Sequence, residues 1–244
     1  MPITVHKLSF TKADLTGLSA VEQKLFVIAG HVSNDIGVLQ KLLVWSMNSS
    51  PVSNIAKDGT STQNLIIVKL LAGKLNEAWR VMQRVYFGGP SQSYYTQLPE
   101  DAQAAQKTLR SYFGKTNAIT EVRNNFAFHY SEDEIPDVLA DLPDEMDFRF
   151  FLGEKVGNSL YHYAEEPMFR QLIDNMPSGE GVEAFNALVD DVLAIAPAVL
   201  TFFVGCILVA SQKMYPGRAL TPELIGDEDL ASLNDMEIPF FMTR

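Results

Sequence analysis

Apolar residues recur every three to four positions along most of this chain, the spacing of one face of an α-helix. Val21, Leu25, Ile28, Val32, Ile36, Leu39 and Leu43 form the first stripe, with Phe26, Leu42 and Trp45 interleaved. Ser19-Ala-Val-Glu22 has the form of a capping box, so one long helix is predicted from there to about Asn48. Asn48–Thr62 holds Pro51, Gly59 and several Ser and Asn residues and reads as a loop. Leu65, Val68, Leu71, Leu75, Trp79, Met82 and Tyr86 predict a second long helix over Thr62–Phe87, with Gly73 allowing close packing. Gly88-Gly89-Pro90 ends it, and a loop follows to Leu98. A third helix is expected from Pro99 to Phe113, closed by Gly114. A fourth, capped by Asn117, is expected over Ala118–Tyr130, with Ile119, Val122, Phe126 and Tyr130 on its apolar face. Four helices on short connections predict an up-down bundle.

The texture changes after Tyr130. Ser131–Asp147 is acidic, contains Pro136 and Pro143, and predicts a short helix between loops. Phe148–Leu152 and Ser159–Ala164 read as two strands of a small β-hairpin around Gly153–Asn158. In that pattern His162 points away from Tyr161 and Tyr163; it is a second candidate for a polar site, with a cross-strand or solvent-facing role the preferred reading. A short helix over Glu165–Met176 and a long one over Glu183–Met214 follow. Val192–Ala210 carries no charge over about 19 residues, enough to span a bilayer. Burial in the protein or at a subunit interface is the preferred reading, because flanking bases are few. Tyr215–Arg244 reads as an extended acidic tail, with a helical turn near Asp227–Leu233 and an apolar end, Ile238–Met242, that docks on the body or a partner. Ile3–Phe10 alternates and reads as an edge strand or ordered arm. The fold expected is therefore mainly α: a helical bundle of long antiparallel helices with a small β-hairpin insertion. Its divisions are an arm (1–17), the bundle (18–130), an acidic linker with hairpin and apolar helix (131–214) and a tail (215–244).

Charge narrows the function. The 244 residues carry a net charge of −11, which weakens generic affinity for nucleic acid because that affinity comes from neutralising phosphates. Lys69–Arg123 is the exception, with eight bases against four acids. Within it Arg80 and Arg84 stack at i, i+4 and are candidates for binding an RNA backbone, although Arg80 also lies within reach of Glu77. Tyr94 and Tyr95 are candidates for stacking on bases or for packing on their own domain. The single cysteine, Cys206, sits in an apolar run, so it reads as a buried small hydrophobe and excludes an internal disulfide. With no signal-peptide pattern at Met1–Leu18, a cytoplasmic protein is expected. The acidic stretch lacks a calcium-loop pattern and the glycines lack a phosphate-loop pattern, so neither metal nor cofactor is expected. His6 reads as a surface residue, and His31, within pairing reach of Asp35 at i, i+4, as a structural or solvent-facing histidine.

Val122–Tyr130, VRNNFAFHY, concentrates the candidate chemistry. A guanidinium clamps phosphate with a bidentate fork, and an imidazole shuttles protons near neutral pH. Arg123, followed by Asn124 and then, after four residues, by His129, resembles the signature of the HEPN superfamily, the higher-eukaryote and prokaryote nucleotide-binding helical domains. The resemblance implies a helical bundle that dimerises through the motif helix. In active members it also implies metal-independent RNA cleavage, as in bacterial toxin or phage-defence systems that work with an antitoxin partner. His129 would then be the acid/base, Arg123 the phosphate clamp, Asn124 the orienting residue and Tyr130 an accessory contact. Other members bind a nucleotide or a protein partner without cutting. The bland alternative is a surface ion pair at Arg123 and a helix C-terminal cation at His129. Association with a membrane through 192–210 is a further, less favoured reading.

Overall fold

The computed structural model describes residues 3–128, 132, 135–154, 156–177, 181–216, 223–228 and 235–241. Eight α-helices among them make the protein mainly α, with long packed helices and a two-stranded antiparallel sheet. The helices are α1 (Ala20–Met47), α2 (Asn54–Val81), α3 (Ser91–Tyr95), α4 (Glu100–Phe113), α5 (Ala118–Asn125), α6 (Ile135–Ala140), α7 (His162–Asp174) and α8 (Gly181–Met214). Two compact units divide the chain. Unit 1 comprises Met1–Val38, Glu77–Lys115 and Ile195–Asp235, and unit 2 comprises Leu39–Asn76, Thr116–Ala194 and Met236–Arg244.

In unit 1 the capping box at the start of α1 forms as predicted. The Ser19 amide donates to Glu22 Oε2 at 2.9 Å and the Glu22 amide donates to Ser19 Oγ at 3.4 Å. Glu22 does a second job, accepting from Lys213 Nζ of α8 at 2.6 Å, while that ammonium lies 4.7 Å from the Tyr94 ring centre. Burial pushes the Glu22 carboxyl up, but the hydrogen bonds from Lys213 and Ser19 outweigh it and hold the group below the ordinary glutamate value of 4.5. A depressed folded-state pKa stabilises fully above that ordinary value and is lost as pH falls through the lowered one. Glu22→Gln is therefore expected to cost stability at neutral pH, and the gap to wild type should close in acid. Urea midpoints at pH 7 and at pH 3 read this directly; a gap that persists in acid would rule the charge contribution out.

The unit 1 core gathers Leu25, Tyr86, Tyr94, Leu109, Phe202 and Phe203, all fully buried. Cys206 is buried there too, as expected, and burial pushes its thiol up. The strand β1 (Ile3–Lys7) pairs antiparallel with β2 (Glu223–Glu228), with a bulge between Val5 and His6. The arm is thus a strand. The extended tail supplies its partner; Asp227 and Glu228, where a helical turn is expected to begin, belong to that strand, and the rest of the expected turn lies outside the described residues. By length and composition α8 could cross a membrane, and half of its most apolar stretch is buried within the protein.

In unit 2, three local expectations change. First, α2 begins at Asn54, not near Thr62. Ser53 Oγ accepts from the Ala56 amide at 3.1 Å and starts the helix, and Phe240 covers Gly59, where a β-carbon would lie 2.9 Å from that side chain. Gln63 Nε2 anchors the same C-terminal segment by donating to the Ile238 carbonyl at 2.7 Å, so the apolar end of the tail does dock on the body. Second, the hairpin expected over Phe148–Ala164 contracts to one bridge, Phe151 with Leu160, and α7 starts at His162. Leu172 and Ile173 are buried at the far end of α7, and that helical packing outcompetes the short alternation of Tyr161-His162-Tyr163. Third, α5 stops at Asn125 rather than running to Tyr130. The Asn117 cap forms as predicted, its side chain accepting from the Thr120 amide at 2.9 Å. At the other end two successive asparagines hold the helix weakly. The amides of Phe126 and Ala127 both donate to the Val122 carbonyl at 2.8 Å, which turns the chain out of the helix. Ala127 and Phe128 then lie over Gly73 of α2, where a β-carbon would sit 2.8 Å from each, so Gly73 does allow close packing.

Candidate functional site

The motif residues divide between described and undescribed parts of the chain. Arg123 and Asn124 sit in the last turn of α5, in unit 2, and Arg123 Nη1 donates to Asn124 Oδ1 at 3.4 Å. Asn124 is exposed and Arg123 partly so. His129 and Tyr130 lie outside the described residues. α5 ends at Asn125, short of the run to Tyr130 that the apolar stripe predicts.

Arg80 and Arg84 belong to unit 1. Arg80 Nη1 lies 3.8 Å from Glu77 Oε1, one turn away, the pairing that their spacing allows. Arg84 is exposed in a π-helical segment, Met82–Phe87, that continues α2. Such wide turns are rare and concentrate at functional sites. Here the turn buries Tyr86 and brings Phe87 to the surface edge.

Phe87 closes one end of a groove of about 510 Å³ in unit 1. Two helices make its walls with the same side-chain spacing. From α3 come Ser91, Gln92 and Tyr95, at i, i+1 and i+4; from α4 come Gln106, Lys107 and Arg110, again at i, i+1 and i+4. Residues so spaced share one helix face, so α3 turns a polar face with one aromatic ring to the groove and α4 a polar, basic one. The segment Gly88–Leu98, expected to be a loop, contains α3 because Tyr94 is fully buried and pins the turn down, which leaves Tyr95 on the groove side.

Each wall residue has a physical reason for its position. The Arg110 guanidinium stands 5.1 Å from the centre of the Phe87 ring, a cation–π contact that holds the fork in place while leaving its N–H edges usable. Phe87 meets Trp79 edge to face at 6.1 Å, and Trp79 stacks on Phe113 at 5.2 Å, so the aromatic end of the groove rests on a rigid cluster. Gln106 Oε1 accepts from the buried Tyr86 hydroxyl at 3.1 Å, which fixes the amide's orientation. Burial pushes the Tyr86 phenol well above its ordinary value, so it remains a donor. The lining thus holds two cations, two aromatic rings, two amides and a hydroxyl, with no carboxylate among the described residues. Such a set can bind phosphate through Lys107 and Arg110 and a planar ring against Tyr95.

Of these residues, Tyr95 is the one that the sequence offers, with Tyr94, for stacking on bases or for packing on its own domain. Lys107 and Arg110 entered only as part of a locally basic stretch. Their i, i+3 spacing opposite the Gly88–Leu98 segment was the signal available. No family model matches this chain, and comparisons with curated proteins and with solved structures find no match.

Proposed function

We propose that this chain is a helical nucleotide-binding protein and that the unit 1 groove is its site. One observation carries the reading: on a chain of net charge −11, the groove lining has no acid among the described residues and sets Lys107 and Arg110 beside Phe87 and Tyr95. Phosphate oxygens would accept from Arg110 and Lys107, and a base would lie on Tyr95, with the amides of Gln92 and Gln106 meeting its edge. The groove's volume suits a mononucleotide or a short single strand rather than a duplex.

The test is calorimetric titration of the full chain with ATP and with a short single-stranded RNA at two salt concentrations. Binding is expected to weaken as salt rises. Arg110→Ala and Tyr95→Ala should each reduce affinity about ten-fold, through loss of a charge-assisted hydrogen bond and of a stacking surface respectively. Binding that ignores both substitutions would reject the groove. The alternative reading, a metal-independent endoribonuclease acting as a dimer through Arg123 and His129, is decided on the same protein by incubating end-labelled RNA in EDTA. Retention of intact RNA supports the binding module. Cleavage that disappears in both Arg123→Ala and His129→Ala would replace it with the ribonuclease.

A further inference from the structure

We propose that a second cavity, in unit 2, is a binding site for a small organic amine. The cavity measures about 280 Å³, near the lower end of small-molecule pockets, which suits a compact ligand and excludes a peptide. Three helices of unit 2 line it. Asp58, Thr62 and Leu65 follow one face of α2, and His162, Glu165 and Phe169 follow one face of α7. Val182 and Phe185 come from the start of α8.

Charge decides the class of ligand. Among the described residues, the ionisable groups that line the cavity are three carboxylates, Asp58, Glu165 and Glu166, and one imidazole, His162. The neighbouring cations stand outside the lining: Arg149 lies 3.8 Å from Asp58, and Arg170 lies 3.8 Å from Glu166. His162 Nε2 is also 3.8 Å from Asp58 Oδ1. These separations are too long for hydrogen bonds, so the carboxylates keep acceptor capacity for a ligand. Asp58 Oδ2 is out of water and accepts no hydrogen bond. Burial pushes the Glu165 carboxyl up and the nearby Lys69 ammonium down, so burial costs more than the pair recovers. An added positive charge offsets that cost at Glu165.

Geometry separates an organic cation from a metal ion. Among the described residues no three His, Cys, Asp or Glu groups converge as a metal site. The carboxylates are spread over α2 and α7 instead; Ser61, Thr62 and Asn64 add neutral polar groups, and Leu65, Phe169, Val182 and Phe185 make an apolar side. The Phe169 and Phe185 rings meet at 5.6 Å and 67°, and Leu65 is buried beside them. An ammonium group among the carboxylates with its hydrocarbon body against these rings satisfies both halves, and aromatic faces attract such cations.

Calorimetric titration of the full-length protein with n-butylamine, cyclohexylamine and 2-phenylethylamine tests this, with phenylacetate as the probe of equal size and opposite charge. At least one amine is expected to bind and phenylacetate is not. Glu165→Gln and Glu166→Gln should each weaken that amine about ten-fold. Arg110→Ala, in the unit 1 groove, should leave it unchanged. Circular dichroism of each variant confirms that the helices persist. Silence from all three amines at millimolar concentration overturns the proposal. So does equal binding of phenylacetate, or amine affinity that survives both glutamate substitutions.

Discussion

Replacing Gly205 with leucine is expected to destabilise the protein by about 3 kcal/mol, at the upper end of what overpacking costs. In unit 1, α8 approaches α4 so closely at this point that a β-carbon on Gly205 would lie 2.5 Å from Ala102 Cβ and 3.3 Å from Leu98 Cδ2. Carbon atoms prefer separations of about 3.5–4.0 Å, so the overlap is about 1 Å. Neither β-carbon can swing away, because each is fixed to a helical backbone and Ala102 is fully buried. Relief requires α4 to move, and α4 carries Lys107 and Arg110. Even Gly205→Ala is expected to lose about 1–2 kcal/mol, since the overlap outweighs the gain of about 1 kcal/mol that alanine brings to a helix. Gly30→Ala is the matched control. It lies in α1 with no atom within 4 Å of the added carbon, so it should gain about 0.5–1 kcal/mol. Guanidinium unfolding of the three variants separates the cases. If Gly205→Ala stabilises as Gly30→Ala does, the close approach of α4 and α8 is wrong.

Tyr86→Ala should cost more, about 3–5 kcal/mol, the range for emptying a buried aromatic site. Tyr86 is fully buried, meets Phe202 edge to face at 4.9 Å and Phe87 at 5.2 Å, and donates its hydroxyl to Gln106. Tyr86→Phe removes only the hydroxyl. It leaves the buried Gln106 acceptor without its donor, at a cost of about 1–3 kcal/mol. The pair of variants divides packing from polar satisfaction, and the second also bears on the groove. With Gln106 released from Tyr86, nucleotide affinity should fall even where the protein remains fully folded. Thermal unfolding gives the stability differences, and titration of Tyr86→Phe with ATP gives the other. Unchanged stability in Tyr86→Phe would show that this hydrogen bond contributes nothing.

The helices were legible because the energy that forms them is written locally. A stripe at helical spacing located α1, a first-turn Pro99 and a closing Gly114 located α4, an uncharged run located α8, and the caps at Ser19 and Asn117 satisfy amides within three residues of themselves. Burial of Cys206 followed from an uncharged run. Errors arose where a distant segment altered the local balance. Gly59 and its polar neighbours read as loop, yet Phe240, far along the chain, covers Gly59 and Gln63 holds Ile238. The stripe Ile119, Val122, Phe126 invited a helix through Tyr130, yet the chain turns at Phe126 and packs across Gly73.

The candidate sites depended still more on tertiary structure. Residues 87, 91, 92, 95, 106, 107 and 110 form one groove because a π-helical segment and two helices turn particular faces toward each other. The unit 2 cavity joins Asp58 to His162 across more than a hundred residues of sequence. By itself, then, the sequence determined a mainly helical protein, the caps of its helices and the positions that must be buried, because periodicity and capping act within a few turns. Only the tertiary structure decided where α2 starts, where α5 ends and which polar side chains share a cavity, because those outcomes turn on contacts between segments remote in the chain.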